Sequence, residues 1–155
     1  MAEHTIALEP WTDALYELEM RPLVEAHARE VEHDARSRFK LDLAIMRTCA
    51  EHGVLRVMVA RRGGRMVGYL TWNITRDVEA EGMLIAQQGG WYVAPGQWRA
   101  AVQLFDDSID MLRTEGVERA FPHHRTEGRG KGIGRFFQRR GAKLIQHTYC
   151  LWIGG

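Results

Sequence analysis

Two periods of apolar residues succeed one another along this chain, and the change between them predicts its elements. The opening run HTIALEP alternates as an edge strand does and is ended by Pro10. Thr12 then suits a helix N-cap, with Trp11 before it and Tyr16 four residues on, placed to staple the helix entry. Leu15, Leu18 and Leu23 give one apolar face, but Pro22 lies inside the pattern, where it removes a hydrogen bond at about 3 kcal/mol. The spacing therefore predicts a broken or bent helix. A second helix is predicted from Leu41 to His52, with Leu43, Met46 and Ala50 on one face and Gly53 as its stop.

The period then shortens. LRVMVARR and RMVGYLTWNIT are rich in β-branched and aromatic residues, and Gly63-Gly64 between them suits the positive φ angles of a tight hairpin. After the acidic connection DVEAEG comes MLIAQQGGWYVAP, a strand whose Gly89-Gly90 predicts a bulge or a close approach to the backbone. Helical spacing returns from Trp98 to Thr114, with Val102, Phe105, Ile109 and Leu112 in register, and Gly116 ends it. VERAFPHH reads as a short strand, Gly132 to Arg140 as a small helix with Ile133, Phe136 and Phe137 inward, and KLIQHTYCLWI as a last strand. The order predicts an α+β (mixed α/β) fold, one mostly antiparallel sheet flanked by about four helices, in a single domain over residues 1–155.

Composition narrows the function classes. At 155 residues the chain can bury a core without disulfides or metals. With 21 Lys+Arg against 20 Asp+Glu the net charge is +1, so a nucleic-acid or anionic-membrane partner has no global electrostatic support, and any anion site is local. Cys49 and Cys150 are the only cysteines, and no leader or long apolar run is evident, which predicts a reduced, soluble, cytoplasmic protein.

Few residues suggest chemistry by type and spacing alone. Arg129 to Gly134 reads RGKGIG, the composition of a loop that closes its backbone on a pyrophosphate. Arg125, Arg129 and Lys131 cluster there beside a predicted helix start, readable as a solvated basic loop or as an anion contact. His27, Glu30 and His33 recur every third residue, but helical zinc pairs use i, i+4 spacing, so a solvated face and no metal are predicted. Cys150 and His147 lack a visible third group, and Cys150 reads as a core or edge cysteine.

The segments GRMVGYLTW, WYVAP, EGVERAF and FFQRRGAKL, in that order and spacing, resemble the GNAT superfamily of N-acetyltransferases over nearly the whole chain. The small acetyltransferase-like proteins encoded by phages and prophages are the most similar flavour. The resemblance implies a sheet splayed between the fourth and fifth strands, with acetyl coenzyme A in the splay. Its pantetheine would lie along Gly89 to Val93, and its pyrophosphate on the helix start Gln97 to Val102. Implied cofactor residues are Tyr92, Val93, Gln97, Arg99, Ala100 and Ala101. The family's loop is Arg/Gln-x-x-Gly-x-Gly/Ala. Here Gln97 matches, Ala100 is tolerable, Val102 departs, and Arg99 supplies charge. Reading RGKGIG as that loop instead would leave WYVAP and the long helix unexplained and truncate the fold, so it becomes the connection after the fifth strand.

The catalytic groups also depart from the family. Many members place a carboxylate base on the fourth strand, where this chain has Gln87 and Gln88, and Glu79 and Glu81 lie before it. The usual late-helix tyrosine acid is replaced by Phe137, which has no proton to donate. Gln88 therefore joins His123 and His124, at the end of the fifth strand, as the catalytic candidates, with strand alternation pointing one histidine inward. Two functions follow. The first is an acetyl coenzyme A-dependent N-acetyltransferase acting on an unidentified small-molecule or protein amine. The second is a catalytically degenerate member serving as a structural or interaction module, such as a phage virion component with a partner protein or an oligomer, located in the virion.

Overall fold

The computed structural model describes residues 3–31, 40–124 and 132–146, and the chain forms two compact units, Met1–Phe121 and Pro122–Gly155. In the first unit the order is β1 (His4–Glu9), α1 (Asp13–Leu15), a π-helical turn (Tyr16–Met20), α2 (Arg21–Val31), α3 (Leu43–Glu51), β2 (Leu55–Arg62), β3 (Arg65–Arg76), β4 (Leu84–Val93), α4 (Trp98–Thr114) and β5 (Arg119–Phe121). The second unit holds α5 (Ile133–Gln138). Among its described residues the first unit holds, counting Asp13–Val31 as one composite helix, three helical bodies and a five-stranded sheet of order β1-β2-β3-β4-β5. The first four strands pair antiparallel and β5 joins β4 in parallel, as the α+β reading expects.

The composite helix shows how local chemistry sets its shape. Thr12 Oγ1 accepts from Leu15 N–H at 2.9 Å, and the rings of Trp11 and Tyr16 meet at 5.7 Å, which gives the expected cap and staple. The break expected at Pro22 takes the form of a π turn. Arg21 N–H closes on Tyr16 O, so the turn widens just ahead of a residue with no N–H and a ring that crowds the preceding carbonyl. On α3, Asp42 Oδ1 caps the N–H groups of Ala44 and Ile45.

Gly63 and Gly64, at φ 57° and 78°, form the tight turn between β2 and β3. Val57, Val59, Met66, Tyr69 and Tyr92 of the sheet pack in one core cluster with Leu15, Met20 and Val24 of the composite helix. The opposite face carries Leu70, Trp72 and Ala86 beneath α4, with Phe105 5.5 Å from the Trp91 ring and 6.4 Å from the Trp72 ring. The buried face of α4 is Ala101, Leu104, Phe105, Ser108 and Leu112. Val102 and Ile109, expected on that face, are half-exposed: the stripe is turned to let small residues meet the sheet. Arg61 of β2 bonds Glu9 of β1 and Glu19 of the π turn, pinning helix to sheet and holding the Glu19 carboxyl below the usual carboxylate value.

Two expectations at the C-terminal end change. β5 stops at Phe121, because Pro122 has no N–H for a ladder, so His123 and His124 lie beyond the strand and its alternation does not orient them. Residues 143–146, expected to begin the last strand, are not in a strand. The rest of that expected strand, with His147 and Cys150, lies outside the described residues.

Candidate functional site

The β4–β5 ladder covers only Ile85–Gln87 of β4, opposite Arg119–Phe121. The following stretch, Gln88 to Val93, runs on past the last residue of β5 and feeds directly into α4. This is the splay.

Three glycines allow the strands around it to close. A Cβ on Gly68 would lie 2.5 Å from Val93 Cγ1, and one on Gly90 would lie 2.8 Å from the Tyr69 ring. One on Gly89 would collide with Thr71 Oγ1. Thr71 faces Gly89 and Gly90 together, which is the expected bulge, and its Oγ1 accepts from Gly90 N–H at 2.8 Å. What approaches this backbone is therefore the neighbouring strand's own side chains. Gln88, opposite Trp72, is buried on the α4 face.

At the α4 entrance Gln97 is the N-cap and makes no side-chain cap. Its Oε1 instead accepts from His4 Nε2 at 2.8 Å, tying the entrance to β1. Ala101 N–H is the first to bond back into the helix, on Gln97 O, so those of Trp98, Arg99 and Ala100 precede the ladder. Arg99 is exposed and Trp98 is 57% exposed, whereas the Ala100 side chain is buried against the sheet. Ala100 and Ala101 can thus offer backbone, not side chain. Three N–H groups at the positive end of a 17-residue helix, with the exposed Arg99 in that first turn, fit a pyrophosphate.

A second constellation was not foreseen as a site. On the other face of β4, Tyr69 and Tyr92 stand opposite each other and are 3% and 6% exposed. The Tyr69 hydroxyl is 2.8 Å from His27 Nδ1, and the Tyr92 hydroxyl donates to Glu30 Oε1 at 3.1 Å. His27 stacks on Tyr92 with ring centroids 5.2 Å apart and 22° between planes. Burial above all, with Tyr92 and Tyr16 adding, pushes the Tyr69 hydroxyl well above its ordinary value, so it keeps its proton. The expected solvated face is therefore corrected: His27 and Glu30 turn toward buried hydroxyls that need partners. The i, i+3 spacing was visible, but the tyrosines it serves lie on distant strands. His33 lies outside the described residues, and among those residues no group of three potential ligands could hold a metal.

In the second unit, His124 packs on Phe137 at 6.0 Å between centroids, and its Nε2 would lie 2.8 Å from a Cβ on Gly134. His123 is exposed, and Phe136 carries the Arg140 guanidinium 3.7 Å above its ring. Arg125, Arg129 and Lys131 lie outside the described residues. Glu79 and Glu81 are exposed in the connection before β4. Among the described residues no helix is long and apolar enough to cross a membrane.

No protein-family profile matches the sequence, and no curated protein is significantly similar to it. Solved structures do match. An aminoglycoside acetyltransferase from an uncultured soil metagenomic sample aligns at TM-score 0.75 and 15% identity, over 98% of this chain and 99% of that one. Ribosomal-protein-alanine N-acetyltransferase from Brucella melitensis biovar Abortus 2308 aligns at 0.67 and 18%, over 98% and 100%. AAC(6')-Iy, in complex with the bisubstrate analogue CoA-S-monomethyl-acetylneamine, aligns at 0.67 and 14%, over 99% and 100%. These likenesses establish the fold, which is that of the GNAT acetyltransferases.

Proposed function

We propose, with that fold as premise, that the chain works over residues 1–155 as one acetyl coenzyme A-dependent N-acetyltransferase domain acting on a primary amine. The observation that carries this reading is the run of β4 past β5 into an α4 entrance whose N-cap residue, Gln97, makes no side-chain cap. Trp98, Arg99 and Ala100 would hold the pyrophosphate through their N–H groups, with the Arg99 charge beside them, and the backbone of Tyr92 and Val93 would guide the pantetheine. The coenzyme supplies the acetyl thioester. Gln88 is a candidate for positioning the reacting groups and His123 and His124 for moving the proton, and alanine substitution of each ranks them. An aminoglycoside and a ribosomal-protein alanine, named for two of the structural neighbours, are the first acceptors to test.

Calorimetric titration with acetyl coenzyme A decides the reading. Saturable binding is expected, weakened about tenfold in Arg99→Glu, since a charge-assisted contact is worth roughly 1.5–3 kcal/mol. Absence of binding at millimolar ligand would sink it.

A further inference from the structure

We propose that His27 is the group that takes the proton from the acceptor amine, with Tyr69 and Tyr92 positioning its ring. The inference rests on the acetyltransferase reading above. Transfer to an amine that is an ammonium ion in neutral water requires that a proton leave before nitrogen can attack. On β4 itself the side chains from Gln87 to Val93 include no carboxylate and no histidine. Gln88 is an amide and cannot accept a proton at neutral pH.

Among the described residues, His27 is an imidazole that packs against this strand. Its ring lies on Tyr92, a residue of the stretch that outruns β5, and its Nδ1 is fixed by the Tyr69 hydroxyl over the Gly89–Gly90 bulge. The close approach at Gly90 matters here. With no Cβ there, the Tyr69 ring settles against β4 and its hydroxyl reaches the helix above. Because the phenol stays protonated it is a neutral partner, and its oxygen can accept from Nδ1–H. In that arrangement the lone pair sits on Nε2, where the imidazole can act as a base. Among the described residues, Tyr69 from β3 and Tyr92 from β4 face the imidazole, and Glu30, three residues on along α2, accepts from the Tyr92 hydroxyl.

The atoms balance simply. The ammonium gives one proton to Nε2, which later passes it to water. The freed amine forms the C–N bond to the acetyl carbon as the C–S bond breaks, and its second proton ends on the departing thiolate. Amide, free thiol and one released proton are the products.

The test uses the full chain, acetyl coenzyme A and excess methylamine, a small acceptor needing no recognition site. Calorimetry comes first: no coenzyme binding by the wild type removes the cofactor reading and this inference with it. With binding intact, His27→Asn, which can still reach Tyr69, should bind coenzyme as the wild type does and acetylate about 100-fold more slowly at neutral pH. The deficit should narrow as pH approaches the amine's own pKa, since free amine needs no base. Tyr69→Phe should show a smaller loss and a displaced acidic limb of the pH profile. As a check independent of turnover, the His27 ring resonances should shift on coenzyme addition. A wild type that binds coenzyme yet gives no rate above background overturns the proposal. So does His27→Asn at the wild-type rate, or a profile that loses its acidic limb in His123→Ala or His124→Ala instead.

Discussion

The sheet face under α4 is built mostly from hydrocarbon, and the face under α2 from rings that end in hydroxyls. Leu70, Trp72, Leu104 and Phe105 are buried there, with the Trp72 and Phe105 rings 6.4 Å apart, and the buried polar groups beside them are few: Gln88, Ser108 and the Trp72 indole nitrogen. Tyr69 and Tyr92 are as deeply buried, yet each hydroxyl is carried to a titratable side chain on α2. Burial on the first face stabilises through area and packing. On the second it also fixes the direction of His27 and Glu30, so a small energetic contribution there has a large positional effect.

That contrast is broken most forcefully on the α4 face. Leu104→Ala should destabilise by about 2–5 kcal/mol in urea unfolding, because a fully buried side chain leaves a cavity. A cost near that of an exposed leucine would show that this face is not the core. Between the two faces stands the bulge. Gly89→Ala should cost roughly 1–3 kcal/mol through overpacking on Thr71, and combining it with Thr71→Ala should recover part of that loss. Strict additivity in the double-mutant cycle would mean that the two residues do not touch.

The α2 face should respond more weakly. Tyr92→Phe removes one hydroxyl and keeps the ring, costing about 1 kcal/mol in the same assay. A loss as large as that of Leu104→Ala would erase the distinction between the faces. Smallest is the pin to the π turn, where Glu19→Gln should cost about 0.2–1 kcal/mol. Its pH dependence has a definite sign. The folded-state value of Glu19 is lowered, chiefly by its hydrogen bond to Arg61, so its contribution is present above the ordinary value of 4.5 and is lost as pH falls through the lower folded value. Thermal melts across that acidic window should converge for wild type and Glu19→Gln.

Patterns confined to neighbouring residues were legible in the sequence. The Thr12 cap, the Gly63-Gly64 turn and the bulge at Gly89-Gly90 each follow from side-chain or backbone demands within a few positions, and the structure has all three. What the composite helix does at Pro22 was legible only as a disturbance, since a kink, a restart and a π turn all relieve the same clash. The α4 entrance could be located but its cap could not: Gln97 is held by His4, which is 93 residues away. Separation in sequence also hid the surroundings of His27, whose partner Tyr69 is 42 residues away. Its spacing to Glu30 indicated a shared helix face and nothing about what that face meets. The end of β5 at Phe121 was written in Pro122, and removing the alternation there takes away the orientation assigned to His123 and His124.

The doubled glycine in β4 also acts as a frame shift. Ahead of it Ala86 and Gln88 pair with Ile74 and Trp72, so even-numbered residues point toward α4. Beyond it Trp91 and Val93 pair with Leu70 and Gly68, and the odd-numbered residues do so. One inserted residue thus lets a single strand be read in two phases, and Tyr92 owes its place beside His27 to the second. A strand that kept both glycines in regular alternation would carry Trp91, not the phenol, opposite Tyr69.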